Sequence, residues 1–309
     1  MVATSVISIS PPEQPLSRGL LEAPGGFAWW YADMVDDQGN GLVLIWSYGL
    51  PFLPGYASAA RRGEAPAAGQ RPSLNLATYR QGELDFYLLQ EYSPTEVTWS
   101  PEGDEWAFGD NRLRSRIEDG RRVMRAELST EIPGSDGALS GVIDISGAPR
   151  KPFGGETRVD GLPEHDWTPL TVLADGYAEL TFPDGSSWAC SGRAYHDRNG
   201  GRVPLHDVGI DHWIWGRAPL EGRELIYYLL WSAPDEPPTA VGLEIAPDGS
   251  TVFHESLDVR RSGRSRNMGG LQWWRSLELG LAGEPWLKVS HRWVVDSGPF
   301  YMRYLTRAT

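Results

Sequence analysis

The sequence predicts an all-β protein: two antiparallel β-barrels or strongly curved sheets in tandem, with little helix. Three observations carry that expectation. The 309 residues include 36 glycines and 24 prolines, which interrupt the chain about every ten positions, the spacing of many short antiparallel strands. Between the interruptions apolar residues alternate or run continuously, and helical periodicity is almost absent. A weak internal repeat also appears. Trp30 is followed sixteen residues later by Trp46-Ser47, and Trp215 sixteen later by Trp231-Ser232, each span ending in an apolar strand after a Gly-containing turn.

Taken in order, residues 1–24 read as an N-terminal coil. Strands are expected at 27–35, 41–48, 73–80, 84–91, 122–130, 138–146, 177–182 and 187–197. A second series follows at 224–232, 240–246, 251–256, 272–279, 286–295 and 300–305. Turn chemistry at Asp36-Asp37-Gln38-Gly39, Asp184-Gly185 and Asp248-Gly249 separates strands as hairpins require. Residues 150–164 read as a long loop, and the Ala- and Arg-rich stretch 55–70 is the best place for a short helix. The organisation expected is a β-domain over 25–205 and a second over 206–309.

The uncharged stretch 41–60 reaches membrane-spanning length. Pro51, Pro54, Gly41, Gly49 and Gly55 break it, so it reads as a strand and a turn. Met1 to Ser10 carries no basic stretch ahead of an apolar one, so no export signal is expected. A soluble cytoplasmic protein is the expectation, with peripheral contact at a membrane as the alternative where the ligand is greasy.

Composition narrows function. The 41 acidic residues against 28 basic ones give a net charge of -13, which disfavours a nucleic-acid surface. Lys151 and Lys288 are the only lysines, leaving few Schiff-base candidates, and a lone Cys190, set in an apolar strand, reads as core packing. No dinucleotide-binding glycine motif, Walker loop or G-x-S-x-G elbow is present. His196, Asp197, His206, Asp207, Asp211 and His212 lie close in sequence, yet no HExxH or regular His-x-His spacing joins them, and no metal is expected. The unusual feature is aromatic: 14 Trp, 12 Tyr and 8 Phe. Such a chain suits a flat or long apolar ligand, although any single ring also serves as core.

The densest polar run is Arg193-Ala194-Tyr195-His196-Asp197-Arg198-Asn199-Gly200-Gly201. On a strand, period two puts Arg193, Tyr195 and Asp197 on one face, with His196, Cys190 and Trp188 on the other. A carboxyl beside a phenol facing an apolar cavity has its pKa raised by burial, and once neutral it can donate a proton. Asp-Arg-Asn-Gly-Gly is equally ordinary turn chemistry, and spacing alone favours that plainer reading. His165 and Trp167 form a second i, i+2 pair, which gains meaning only if it meets the first cluster in space.

Gly25-Gly26-Phe27-Ala28-Trp29-Trp30-Tyr31, then Asp36 to Gly39, an apolar strand and Pro51-Phe52-Leu53-Pro54-Gly55-Tyr56, resembles the opening of the carotenoid 1,2-hydratases (hydroxyneurosporene synthases). The pattern continues through His165-Asp166-Trp167-Thr168-Pro169, Gly192-Arg193-Ala194-Tyr195-His196-Asp197 and Pro299-Phe300-Tyr301-Met302-Arg303. The resemblance covers about residues 24–217 and the C-terminus. It implies tandem lipocalin-like barrels and cofactor-independent, acid-catalysed addition of water to a terminal C=C bond of an acyclic carotenoid or related terpenoid. By position, the acid implied is Asp197, supported by Tyr195, His165 and Trp167. Trp29, Trp30, Tyr31, Arg193, His196, Trp213 and Trp215 are the expected substrate contacts. The wider superfamily also holds cyclases of the Diels–Alder type and non-catalytic carriers of lipids or polyenes, which remain alternatives.

Overall fold

The computed structural model describes residues 7–100, 102–132, 134–156, 161–298 and 301–309. Strand alternation organises it. The first eleven strands are β1 (Phe27–Val35), β2 (Gly41–Tyr48), β3 (Pro72–Arg80), β4 (Glu83–Glu91), β5 (Val97–Trp99), β6 (Glu105–Phe108), β7 (Asn111–Glu118), β8 (Arg121–Glu131), β9 (Ala138–Pro149), β10 (Asp166–Thr181) and β11 (Ser187–Gly201). They form one antiparallel sheet in the order β4-β3-β2-β1-β11-β10-β9-β8-β7-β6-β5, so the last strand returns beside the first. Two four-stranded sheets follow in chain order. The second holds β12 (His212–Leu220), β13 (Arg223–Trp231), β14 (Thr239–Ile245) and β15 (Thr251–His254). The third holds β16 (Asp258–Arg266), β17 (Gln272–Leu281), β18 (Glu284–Ser297) and β19 (Met302–Ala308). The only α-helix among the described residues, α1 (Tyr56–Arg61), falls in the stretch expected to be helical, and none is long and apolar enough to cross a membrane.

Period two feeds each central strand into two cores. On β1, Ala28, Trp30, Ala32 and Met34 enter the core enclosed by the curled first sheet, with Trp46, Trp106 and Trp188. Phe27 and Trp29 face the other way, into a second core shared with Ile226, Tyr228 and Leu230 of β13. The alternate residues of β13, Leu225, Tyr227, Leu229 and Trp231, meet Leu277, Leu279, Leu287 and Val289 of the third sheet. Strands buried on both faces read as continuous apolar runs, which is how β2 and β13 look in the sequence.

Several elements differ from expectation, each for a physical reason. β10 begins at Asp166, whereas the pattern suggested a strand at 177–182. Pro169 and Gly176 disguise it, and the strand absorbs the proline by register shifts between Pro169 and Thr171 and between Thr171 and Ala174. β7 and β16 were hidden by arginines, and β5 and β6 by their brevity. The sixteen-residue Trp repeat is not one repeated geometry. Trp30 pairs with Trp46 across β1 and β2, whereas Trp215 pairs with Tyr228, and Trp231 with His212.

The described part of the N-terminal segment is tied down. Leu16 and Leu20 enter the first core, Ile7 and Ile9 the second, and Ser8 bridges to Asp166. Residues 1–6, 157–160 of the expected long loop, and Pro299 and Phe300 of the C-terminal motif lie outside the described residues.

Candidate functional site

Asp197 sits on β11 where that strand runs between β1 and β10. Cross-strand register places Tyr31 opposite it on one side and Pro169 on the other. The same face of β11 carries Tyr195 and Asn199, and the irregular start of β10 delivers Trp167 next to Asn199. Three donors converge on the carboxylate. Trp167 Nε1–H donates to Oδ2 at 2.9 Å, the Tyr195 hydroxyl donates to the same oxygen at 3.0 Å, and Asn199 Nδ2 donates to Oδ1 at 3.0 Å.

These donors favour the ionised carboxylate, but burial opposes it more strongly. Asp197 is only 3% exposed. Burial raises it to about 7, aided by the charge of Asp33 and opposed by the hydrogen bonds from Trp167, Tyr195 and Asn199. The group therefore passes between acid and base near neutrality, the property required of a proton donor that must later recover its proton.

Asp197, Asn199 and Trp167 form part of the wall of a cavity of about 880 Å³, within the usual size range of small-molecule sites. Trp29, Tyr31, Trp213, Trp215 and Tyr228 continue the wall, and β17 and β19 close the far side with Trp273, Trp274 and Arg303. Aromatic rings support one another around the acid: Tyr195 lies 5.3 Å from Trp215 and Trp167 5.3 Å from Tyr228, centroid to centroid.

His165 is brought close without lining the cavity. It is buried, with its ring edge-on to Phe27 and Tyr228 at 5.7 and 5.9 Å. Burial pulls it down to about 4 against an opposing contribution from Asn199, so the imidazole is neutral at physiological pH.

Three of the expected substrate contacts lie elsewhere. Trp30 points into the first core, 4.1 Å from Trp106. His196 points the same way, its Nδ1–H donating to the Tyr31 carbonyl and its Nε2 accepting from Ser115, both at 2.9 Å. Burial first of all pulls it down to about 3, so it stays neutral. Arg193 shares the Tyr195 face but reaches solvent, where it pairs with Asp175 at 3.0 Å. One-residue parity separates Trp29 from Trp30, and nothing local says which parity faces the cavity.

Sequence reasoning missed Asn199, although it stands two residues after Asp197 and shares its face by the same rule. It also missed Tyr228 and a buried ionic group whose Asp33 and Arg217 line the same cavity. There, Arg217 Nε donates to Asp33 at 2.9 Å and its Nη1 to Glu224 at 2.9 Å, while the Leu173 backbone N–H donates to Glu224 at 2.6 Å. Tyr31 donates to the second oxygen of Asp33 at 2.9 Å. Burial disfavours the guanidinium charge, but the two carboxylates outweigh it and hold Arg217 protonated above its ordinary value. Arg217 also lies over the Tyr195 ring at 5.7 Å.

The candidate metal ligands disperse. His196 is in the first core, Asp197 is held by its three donors, and His206 and His212 each pair with the neighbouring Asp207 and Asp211. Among the described residues no three His, Cys, Asp or Glu side chains form a metal-binding group. Cys190 is 6% exposed, and burial pushes its thiol up to about 11. Native protein should therefore give almost no fast reaction with a thiol reagent such as DTNB, and one equivalent after denaturation.

Comparison with known proteins bears on the family and the fold. The family model for carotenoid hydratase CrtC matches residues 45–309. The chain is 27% identical over 303 residues to a hydroxyneurosporene dehydrogenase of Chlorobaculum tepidum, covering 92% of this chain and 78% of that one. It is 28% identical over 223 residues to the acyclic carotenoid 1,2-hydratase of Thiocapsa roseopersicina, covering 66% and 47% of the two chains. For the same-named protein of Rubrivivax gelatinosus the values are 26% over 291 residues, 92% and 66%. The chain thus spans between about half and two thirds of the length of these two hydratases. Among solved structures, an AttH candidate from Nitrosomonas europaea superposes with a TM-score of 0.60 at 14% identity, covering 92% of this chain and 86% of that one. CghA in complex with Sch210972 superposes with a TM-score of 0.55, also at 14% identity, covering 94% and 89%. These two likenesses concern the fold alone. With the family model matching most of its length, this chain belongs to the carotenoid hydratase CrtC family.

Proposed function

We propose that the protein hydrates a terminal C=C bond of an acyclic carotenoid or related terpenoid by acid catalysis, without a cofactor. The observation that carries this reading is a buried carboxyl poised near neutrality on the wall of a cavity lined in part by aromatic rings. Neutral Asp197 gives its proton to C2 of the polyene end; the O–H bond breaks and the π pair forms the new C–H bond. Positive charge develops at tertiary C1. Rings such as Trp29, Tyr31, Trp215 and Tyr228 face that charge, each worth about 0.5–2 kcal/mol when water is excluded. Water adds to C1 and its surplus proton returns to the Asp197 carboxylate, which restores the acid. His165 stands behind the wall, so the base role falls to Asp197, and His165 packs edge-on against Tyr228.

Membership of a carotenoid hydratase family and similarity to two proteins named acyclic carotenoid 1,2-hydratase support the substrate class. The test is mass spectrometry of lycopene and neurosporene incubated anaerobically with purified protein. A product heavier by one water supports hydration; bound pigment of unchanged mass would instead favour a carrier or a cyclase.

Trp167→Phe keeps the ring and removes one donor from Asp197 Oδ2. With less stabilisation of the carboxylate, its pKa should rise, and the alkaline limb of the pH–rate profile should move to higher pH. An unchanged limb would separate Trp167 from the acid.

A further inference from the structure

Charge is distributed very unevenly along this acidic protein. Residues 258–309, which form the third sheet, contain nine basic and four acidic residues, a net of +5, whereas residues 1–257 carry a net of −18. Arg264, Arg266, Arg275 and Arg292 of this sheet are exposed, and none forms an ion pair among the described residues. Unpaired arginines gathered on one sheet of an anionic molecule orient that sheet toward negative surfaces.

The same sheet presents apolar groups where the cavity is walled. The hairpin between β16 and β17 holds Met268 fully exposed at its tip, and its next residues, Gly270 and Leu271, line the cavity. The tip is built rather than loose. Asn267 Nδ2 donates to Ser297 at 2.9 Å, and its Oδ1 accepts from the Leu271 backbone at 2.8 Å. Nearby on β18, Trp293 and Val294 are 41% and 38% exposed, and Arg292 lies over the Trp293 ring at 4.1 Å. Trp293 also covers the turn at Gly82, beside exposed Leu84. An exposed Trp stacked by Arg292 and an exposed Met at a hairpin tip match the polar-apolar boundary of a bilayer, where amphipathic rings and cationic side chains are favoured together.

We propose that the third sheet docks on an anionic lipid bilayer, with Met268 and the Trp293–Val294 edge at the interface and the arginines on the headgroups. An apolar chain then passes from bilayer to cavity without crossing water. The docking surface stands on its own observations; only the identity of the delivered chain rests on the proposed hydration.

Flotation of the full chain with vesicles of phosphatidylcholine, with and without phosphatidylglycerol, tests it. Binding is expected on the anionic vesicles, weak on the neutral ones, and reduced by high salt. Arg264→Gln with Arg266→Gln should weaken binding about thirtyfold, since each basic residue near such a surface contributes about fivefold. Met268→Asp, at a fully exposed position, should weaken it severalfold while leaving the thermal melt unchanged. Failure to bind anionic vesicles, equal binding to both compositions, or indifference to these substitutions overturns the proposal; retention on nucleic acid in place of vesicles does so as well. Asp197→Asn should bind vesicles like the unaltered protein, so this result and the hydration result are read separately.

Discussion

Asp197→Asn should lower hydration by at least about a thousandfold, within the range that a positioned general acid contributes. The asparagine amide keeps the shape of the side chain but has no acidic proton for C2 and no carboxylate to recover one from water. Bound polyene should remain detectable by its absorption, because the cavity walls are unchanged. Turnover surviving in this variant would remove Asp197 from the mechanism. The pH dependence has a definite sign. The reaction needs neutral Asp197, which burial keeps protonated up to about pH 7. Activity should be highest below that value and fall about tenfold per pH unit above it.

The same shift couples folding to pH. The folded pKa of Asp197, about 7, lies above its ordinary value of 3.8. The contribution of this group to stability is fully present below about pH 4 and is lost progressively as pH rises through 7. Asp197→Asn has no charge to bury, so its stability relative to the unaltered protein should improve between pH 5 and pH 8. Thermal melts at the two values give the comparison.

Arg217→Ala should destabilise the protein by about 3–5 kcal/mol, the usual result of removing one partner from a buried ion pair. It leaves Asp33 of β1 and Glu224 of β13 without their shared cation; the Glu224 side chain is 0% exposed. Arg217 is one of the bridges between the first and second sheets, so the loss should also loosen the cavity wall. The Tyr195 ring beneath the guanidinium loses its cover, and Tyr31 loses its anchored partner Asp33. Neutralising the acids as well, with Asp33→Asn and Glu224→Gln, should recover part of the loss in denaturant titrations. A triple variant no more stable than Arg217→Ala would point to packing of the arginine stem as the larger effect.

Much of the fold was legible because strands announce themselves locally. Alternation in Phe27 to Val35, the continuous apolar runs of β2 and β13, and turn residues such as Asp36 to Gly39 each need only a few neighbouring positions. The strands that escaped notice had their local signal masked: Pro169 and Gly176 inside β10, four arginines in β16. Within the site, the shared face of Tyr195 and Asp197 follows from period two on a single strand, and it extends to Asn199 by the same count.

Local pattern in the chain was enough for an all-β fold rich in aromatic rings, and for a Tyr-x-Asp face on one of its strands. Which face lines the cavity depends on strands distant in the chain. Alternation says that Trp29 and Trp30 point to opposite sides, but the side that becomes a cavity depends on where β12, β13, β17 and β19 come to rest. Those strands also supply the burial that lifts Asp197 toward neutrality. They likewise bring Arg217 against Asp33, 184 residues away in the chain. A pKa and a cavity wall are sums over neighbours in space, whereas a strand is a property of neighbours in sequence, and that difference separates what was readable from what was not.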